Sequence, residues 1–150
     1  MNEFDVGKYL QLLYEELLLN GEPKKIDLTA NWCQTFPSKP GVYLFRDKSK
    51  IIYVGETGNL SLRMADLRRT VNHTLRRNIG NTLFSKIDGW TKATSRNKFN
   101  ERIEAMLDEH FRSNLTIAVL PVRLGRCELE EKVISIHRPE YNYKGKRVSL

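Results

Sequence analysis

Two short apolar runs, 42–46 and 51–54, flank the charged turn Asp47-Lys48-Ser49-Lys50 and leave this 150-residue chain little choice but a central β-hairpin. Each run carries a glycine and a tyrosine, as Gly41-Val42-Tyr43 and then Tyr53-Val54-Gly55. The spacing of Tyr43 and Tyr53 lets two adjacent strands bring both phenols to one surface. Tyrosine and glycine are ordinary packing and bulge residues in strands. A phenol can also donate, accept or lose a proton, so two of them facing a cleft can steer a water molecule.

The length favours one domain able to bury its own core. Charge is unevenly spread over the chain. Residues 1–36 hold three basic and six acidic side chains, 37–100 thirteen and four, and 101–150 nine and eight. A basic middle points to a polyanion docked on one face, with a solvated basic surface as the plainer reading. Cys33 and Cys127 are far apart and lack Cys-x-x-Cys or Cys/His spacing, which argues against a zinc site and fits a reduced, cytoplasmic setting. The N-terminal segment carries Glu3, Asp5, Glu15 and Glu16, has no basic leader, and offers no apolar run long enough for a membrane.

Local signals place the other elements. Val6, Tyr9, Leu10, Leu13 and Leu17 recur at helical spacing, and Asn20-Gly21 supplies a stop. That stripe either packs on the core or forms a homodimer face. Residues 22–40 read as a linker with one short strand near 27–32. Asn59 caps a helix over 60–70 whose Leu60, Met64 and Leu67 share a face. Further helices are expected over 73–87, 102–111 and 128–137, the last stopped by Pro139. Residues 115–122 form a strand rich in Leu, Ile and Val. These elements predict an α+β fold, a small mostly antiparallel sheet flanked by helices with an extra N-terminal helix. The division is a helical extension and linker over 1–36 and a second part over 37–150, together one compact unit.

The succession Gly41-Val42-Tyr43, Tyr53-Val54-Gly55 and Asn59-Leu60-x-x-Arg63 resembles the core signature of the GIY-YIG nuclease family. Glu130, followed after eight residues by Pro139-x-Tyr141-Asn142, resembles the closing motif of its excision-repair branch. The resemblance spans 41–143 and makes 37–150 the nuclease domain. It implies a metal-dependent endonuclease that hydrolyses DNA phosphodiester bonds with Mg2+ or Mn2+. Tyr43, Tyr53, Arg63 and Glu130 would be its catalytic residues. Glu130 would be the single metal-binding carboxylate, Tyr43 the general base, and Tyr53 the group orienting the nucleophile or a phosphate oxygen. Arg63 would contact the scissile phosphate, where a guanidinium fork serves better than an ammonium. Gly55, Asn142 and His73 would support them. Without the resemblance, Arg63 is a surface arginine on an amphipathic helix, and 128–131 is an acidic helix start favoured by the dipole.

This chain departs from some relatives at two positions. Glu56 stands where they carry lysine three residues after the second tyrosine. Leu67 stands where others place histidine one turn after the arginine, and His73 is near enough to substitute. Arg68, Arg69, Arg76 and Arg77 form the candidate nucleic-acid-binding cluster, with base reading assigned to loops around 88–100. A second reading keeps the fold and the basic face as a catalytically weak or inactive nucleic-acid-binding module. A third is a protein-interaction domain.

Overall fold

A computed structural model describes residues 2–143. Helix α1 (Glu3–Glu15) starts at Asn2, whose side chain accepts the Asp5 N–H, and runs into a π-helical turn at Glu16–Asn20. There follow β1 (Lys24–Lys25), α2 (Ala30–Gln34), the hairpin β2 (Gly41–Asp47) and β3 (Lys50–Thr57), and α3 (Leu60–Asp66). A 3-10 turn at Thr70–Asn72 leads into α4 (Thr74–Leu83), followed by α5 (Glu101–Asn114), β4 (Leu115–Pro121), α6 (Arg126–His137) and α7 (Glu140–Tyr143). The sheet order is β1-β4-β2-β3, with every pairing antiparallel. The fold is α+β, as the sequence predicts.

Alternation along the strands divides the core into two layers. Tyr43, Phe45, Tyr53 and Ile117 face α2 to α5 and α7 in the larger layer. Val42, Leu44, Val54 and Ala118 face the N-terminal helix and α6, where Leu17, Leu129 and Val133 cover them. A bulge breaks the β2–β3 register between Phe45 and Arg46. It puts two consecutive residues, Ile52 and Tyr53, into the same layer, which simple alternation forbids.

The N-terminal helix is tied to the rest of the molecule by two tyrosines. Tyr9 donates to the Leu124 carbonyl at 2.8 Å, and the Tyr14 hydroxyl lies 2.7 Å from His137 Nε2. The segment 22–40 departs from expectation: residues expected as a strand at 27–32 contribute to a helix, and the strand lies earlier at Lys24–Lys25. Leu28 adopts a left-handed backbone (φ 64°) that ends the extension, and Thr29 then caps α2 by accepting the Trp32 N–H at 3.1 Å. The expected helix over 60–70 stops at Asp66, with Leu60, Met64 and Leu67 all buried as anticipated. Residues 144–150 of the expected second part lie outside the described residues.

Candidate active site

Four of the singled-out side chains meet on the larger layer of the sheet. Tyr43 lies opposite Gly55 across the hairpin, and Tyr53 lies opposite Phe45, so the phenols are diagonal neighbours with ring centres 6.2 Å apart. A Cβ at Gly55 would come within 2.5 Å of Tyr43 Cζ and overlap the hydroxyl. The glycine is therefore what lets the first phenol lie across the second strand. Phe45 packs edge-on against Tyr43, fixing the ring further.

Tyr43 is 1% exposed and its oxygen receives two donors. Arg63 Nε donates to it at 3.2 Å, and His73 Nε2 lies at 3.2 Å on another side. His73 is the N-cap of α4: its Nδ1 accepts the Leu75 N–H at 3.1 Å. An accepting Nδ1 puts the ring proton on Nε2, so His73 donates to the phenol. Burial holds this imidazole well below its ordinary value, with Arg63, Arg77 and Arg76 adding to the effect, so it stays neutral.

Arg63 projects from α3, whose start is fixed by Asn59 accepting the Leu62 N–H. Its Nη1 bonds Asp66 at 3.2 Å and the Asn72 carbonyl at 3.1 Å. Two of its three nitrogens are thus held and the guanidinium plane is set, although the side chain remains a quarter exposed. Sequence reasoning missed Asp66 and the Asn72 carbonyl; the i, i+3 spacing of Arg63 and Asp66 was a legible sign of the first.

Burial pushes Tyr43 far above the ordinary phenol range, with Tyr53 adding and Arg63 opposing. Burial raises Tyr53 too; Arg63 opposes this and Glu130 on α6 adds to it. The two phenols are neighbours, and their mutual interaction raises Tyr43 and lowers Tyr53. Tyr53 is therefore the phenol that releases its proton more readily of the two.

Asn142 on α7 reaches the outer edge of β3. Its Oδ1 accepts the Val54 N–H at 2.9 Å and its Nδ2 donates to the Val54 carbonyl at 2.8 Å. The amide thus stands in for a missing strand beside the residue that follows Tyr53. Asn142→Ala should cost about 2 kcal/mol, because it strands a buried backbone donor and acceptor. Urea unfolding would measure it, and an unchanged midpoint would refute the pairing's importance.

Glu56 lies on the opposite face of β3 from Tyr53 and Gly55, 3.6 Å from Arg126 Nε, with Arg126 Nη1 also donating to the Thr57 carbonyl at 2.6 Å. Leu67 is fully buried in the apolar stripe.

The arginine cluster does not stay together. Arg76 is 1% exposed, and its charge is neutralised inside the protein by Glu104 and Asp108, each at 2.7 Å. The expectation that Arg76 contacts nucleic acid is corrected accordingly. Its Nε also donates to Thr70 at 3.0 Å, and Thr70 in turn bonds the Glu104 carboxylate. Arg68 and Arg69 are exposed and line a cavity of about 350 Å3 with Lys98 and Glu104, away from the tyrosines. Arg77 is half-buried and held by the Thr70 and Val71 carbonyls, with its charge acting on His73.

Among the described residues, no helix is long and apolar enough to cross a membrane. No curated protein matches the chain. It is similar to solved structures of the GIY-YIG N-terminal endonuclease domain of UvrC from Thermotoga maritima. One is bound to its catalytic divalent cation, magnesium, with 19% identity, 95% of this chain and 99% of that chain covered, and a TM-score of 0.39. A point mutant bound to its catalytic divalent cation gives 20% identity, 95% and 98% coverage, and a TM-score of 0.39. The sequence profile of the GIY-YIG catalytic domain matches residues 32–149, and the chain belongs to that family.

Proposed function

We propose that this protein is a metal-dependent endonuclease that hydrolyses DNA phosphodiester bonds. The observation that carries the reading is the convergence of Arg63 and His73 on the Tyr43 hydroxyl by hydrogen bonds, with the Tyr53 ring packed against Tyr43 and His73. Structural packing alone does not call for a quarter-exposed arginine aimed at a buried phenol and a neutral histidine aimed at the same oxygen.

Glu130 is the residue that would hold the metal. Among the described residues there is no group of three or more His, Cys, Asp or Glu that could share a cation. A lone carboxylate fits a hard divalent ion that keeps most of its waters, such as Mg2+ or Mn2+. Such an ion supplies Lewis-acid stabilisation of the charge that grows on the phosphate and its leaving oxygen.

The chain's own groups do the rest. Arg63, fixed through Nε and Nη1, offers its remaining nitrogen to a phosphate oxygen, where charge grows in the transition state. Tyr53, as its phenolate, aligns the attacking water and takes its proton, becoming the neutral phenol, while Tyr43 stays protonated beside it. This order moves the base role from Tyr43 to Tyr53, because Tyr43 is the more deeply buried phenol and the harder to ionise. His73 is a positioning residue: it holds Tyr43 and occupies the role that Leu67 leaves open. Gly55 and Asn142 keep the two strands in register with these groups. Residues 1–36 serve as a structural extension, whose N-terminal helix covers the sheet's second face while α2 packs on the larger layer, and 37–150 as the nuclease domain.

The reading is tested by incubating supercoiled plasmid with the protein. Conversion to open circles is expected with Mg2+ and none with excess EDTA. Cleavage indifferent to EDTA, or no cleavage with either Mg2+ or Mn2+, would overturn it.

A further inference from the structure

A groove runs from the edge of this site along α4. One wall is a polar stripe of that helix, Thr74, Arg77, Asn78, Asn81 and Thr82, at positions that share a face. The facing wall is the 90–94 segment, which brings Trp90 and Lys92. The groove has a volume of about 470 Å3 and contains two cations and no acidic side chain.

Its walls are built to keep their shape. Asn81 clamps the loop to the helix by donating to the Ala93 carbonyl at 3.1 Å and accepting the Ala93 N–H at 3.0 Å. Trp90 Nε1 donates to the Gly80 carbonyl at 3.2 Å, which fixes the half-buried indole at the groove wall. Thr94 accepts the Arg96 and Asn97 N–H groups, so the loop beyond is a formed turn. At the other end Arg77 is held by two carbonyls, and its charge is felt by His73 and Arg77 in turn senses Arg63 and Tyr53.

We infer that this groove binds one unpaired nucleotide of the strand being cut, its phosphate on Arg77 and Lys92 and its base on Trp90. The inference rests on the nuclease reading and adds a substrate class to it: DNA with an unpaired stretch beside the scissile bond. A fixed indole in a cationic, acid-free groove is a stacking platform for a splayed base. A base inside a duplex is already stacked on its neighbours and cannot enter. The continuity of Arg77 with the site sets where the unpaired nucleotide sits, immediately beside the phosphate that Arg63 takes.

The chain has two tryptophans, Trp90 and the buried Trp32, so indole emission reports on the groove directly. The protein would be titrated in EDTA, which prevents cutting, with a twelve-nucleotide single strand and with the blunt duplex of the same sequence. The single strand should quench the emission and the duplex should not, and Trp90→Phe should remove the response. Lys92 is exposed, so Lys92→Ala should leave the fold intact while weakening strand binding about tenfold at low salt and reducing the salt slope by about one. Equal quenching by strand and duplex, or unchanged strand affinity in Lys92→Ala, would overturn the groove assignment. Either result leaves Mg2+-dependent plasmid nicking untouched, whereas loss of nicking in the wild type sinks the nuclease reading itself.

Discussion

Arg63→Ala is expected to lower the rate of Mg2+-dependent cleavage by about 10²- to 10³-fold, the usual consequence of removing a fixed donor to transition-state charge. Most of the loss should fall on kcat, since the phosphate gains charge as the reaction proceeds and the arginine acts most strongly then. Stability should change little. The Asp66 partner is 42% exposed, and ion pairs of that kind contribute about 0–1 kcal/mol. Arg63→Lys should not rescue the rate, because Nε and Nη1 serve partners in two directions and an ammonium cannot span them.

The pH profile separates this role from simple charge loss. Both phenols lie above their ordinary range, so the wild-type rate should climb from neutral into alkaline pH as Tyr53 ionises more readily. Arg63 opposes the rise at both tyrosines, because a nearby cation favours phenolate. Its removal moves ionisation to still higher pH, so the variant's climb should be displaced upward as well as lowered. Single-turnover cleavage of a labelled duplex between about pH 6.5 and 9.5 measures both effects. A variant with wild-type rate and profile would remove Arg63 from the chemistry.

The hairpin was legible because two apolar runs and a charged turn admit few other structures, and Asn59 announced α3 by its cap. The bulge at Phe45/Arg46 was not legible. It leaves no mark in composition, yet it decides that Ile52 and Tyr53 share a layer. The short helix after Thr29 lacks a full turn of apolar periodicity, so its cap competed poorly with the β-branched and aromatic character of 26–32. His73 was visible only as a nearby alternative to Leu67. Its value depends on φ −134° at the start of α4, which turns the ring back so that Nδ1 caps the helix and Nε2 reaches Tyr43.

Arg76 is the instructive failure, because an arginine among arginines reads as surface and complete burial of that residue type is uncommon. Its partners lie on α5, where Glu104 and Asp108 are one turn apart on the flank of the buried Ile103 and Leu107. An acid pair on the inner edge of an amphipathic helix was the available sign.

Arg76→Met should therefore behave as a folding mutation and not as a DNA-contact mutation. It leaves Glu104, whose side chain is 19% exposed, without its cation and strips a donor from Thr70. Breaking a buried pair from one side costs about 3–5 kcal/mol, and the partial exposure of Asp108 at 36% places this case near 3. Urea unfolding should show that loss, and Glu104→Gln added to Arg76→Met should recover part of it, because the second change removes the orphaned charge while keeping an acceptor for the Phe99 N–H. At a temperature where the variant is folded, the salt dependence of DNA binding should match the wild type, since an internally neutralised guanidinium releases no counterion from the duplex. A shallower salt slope with unchanged stability would return Arg76 to the nucleic-acid surface and dissolve the ion-paired link between α4 and α5.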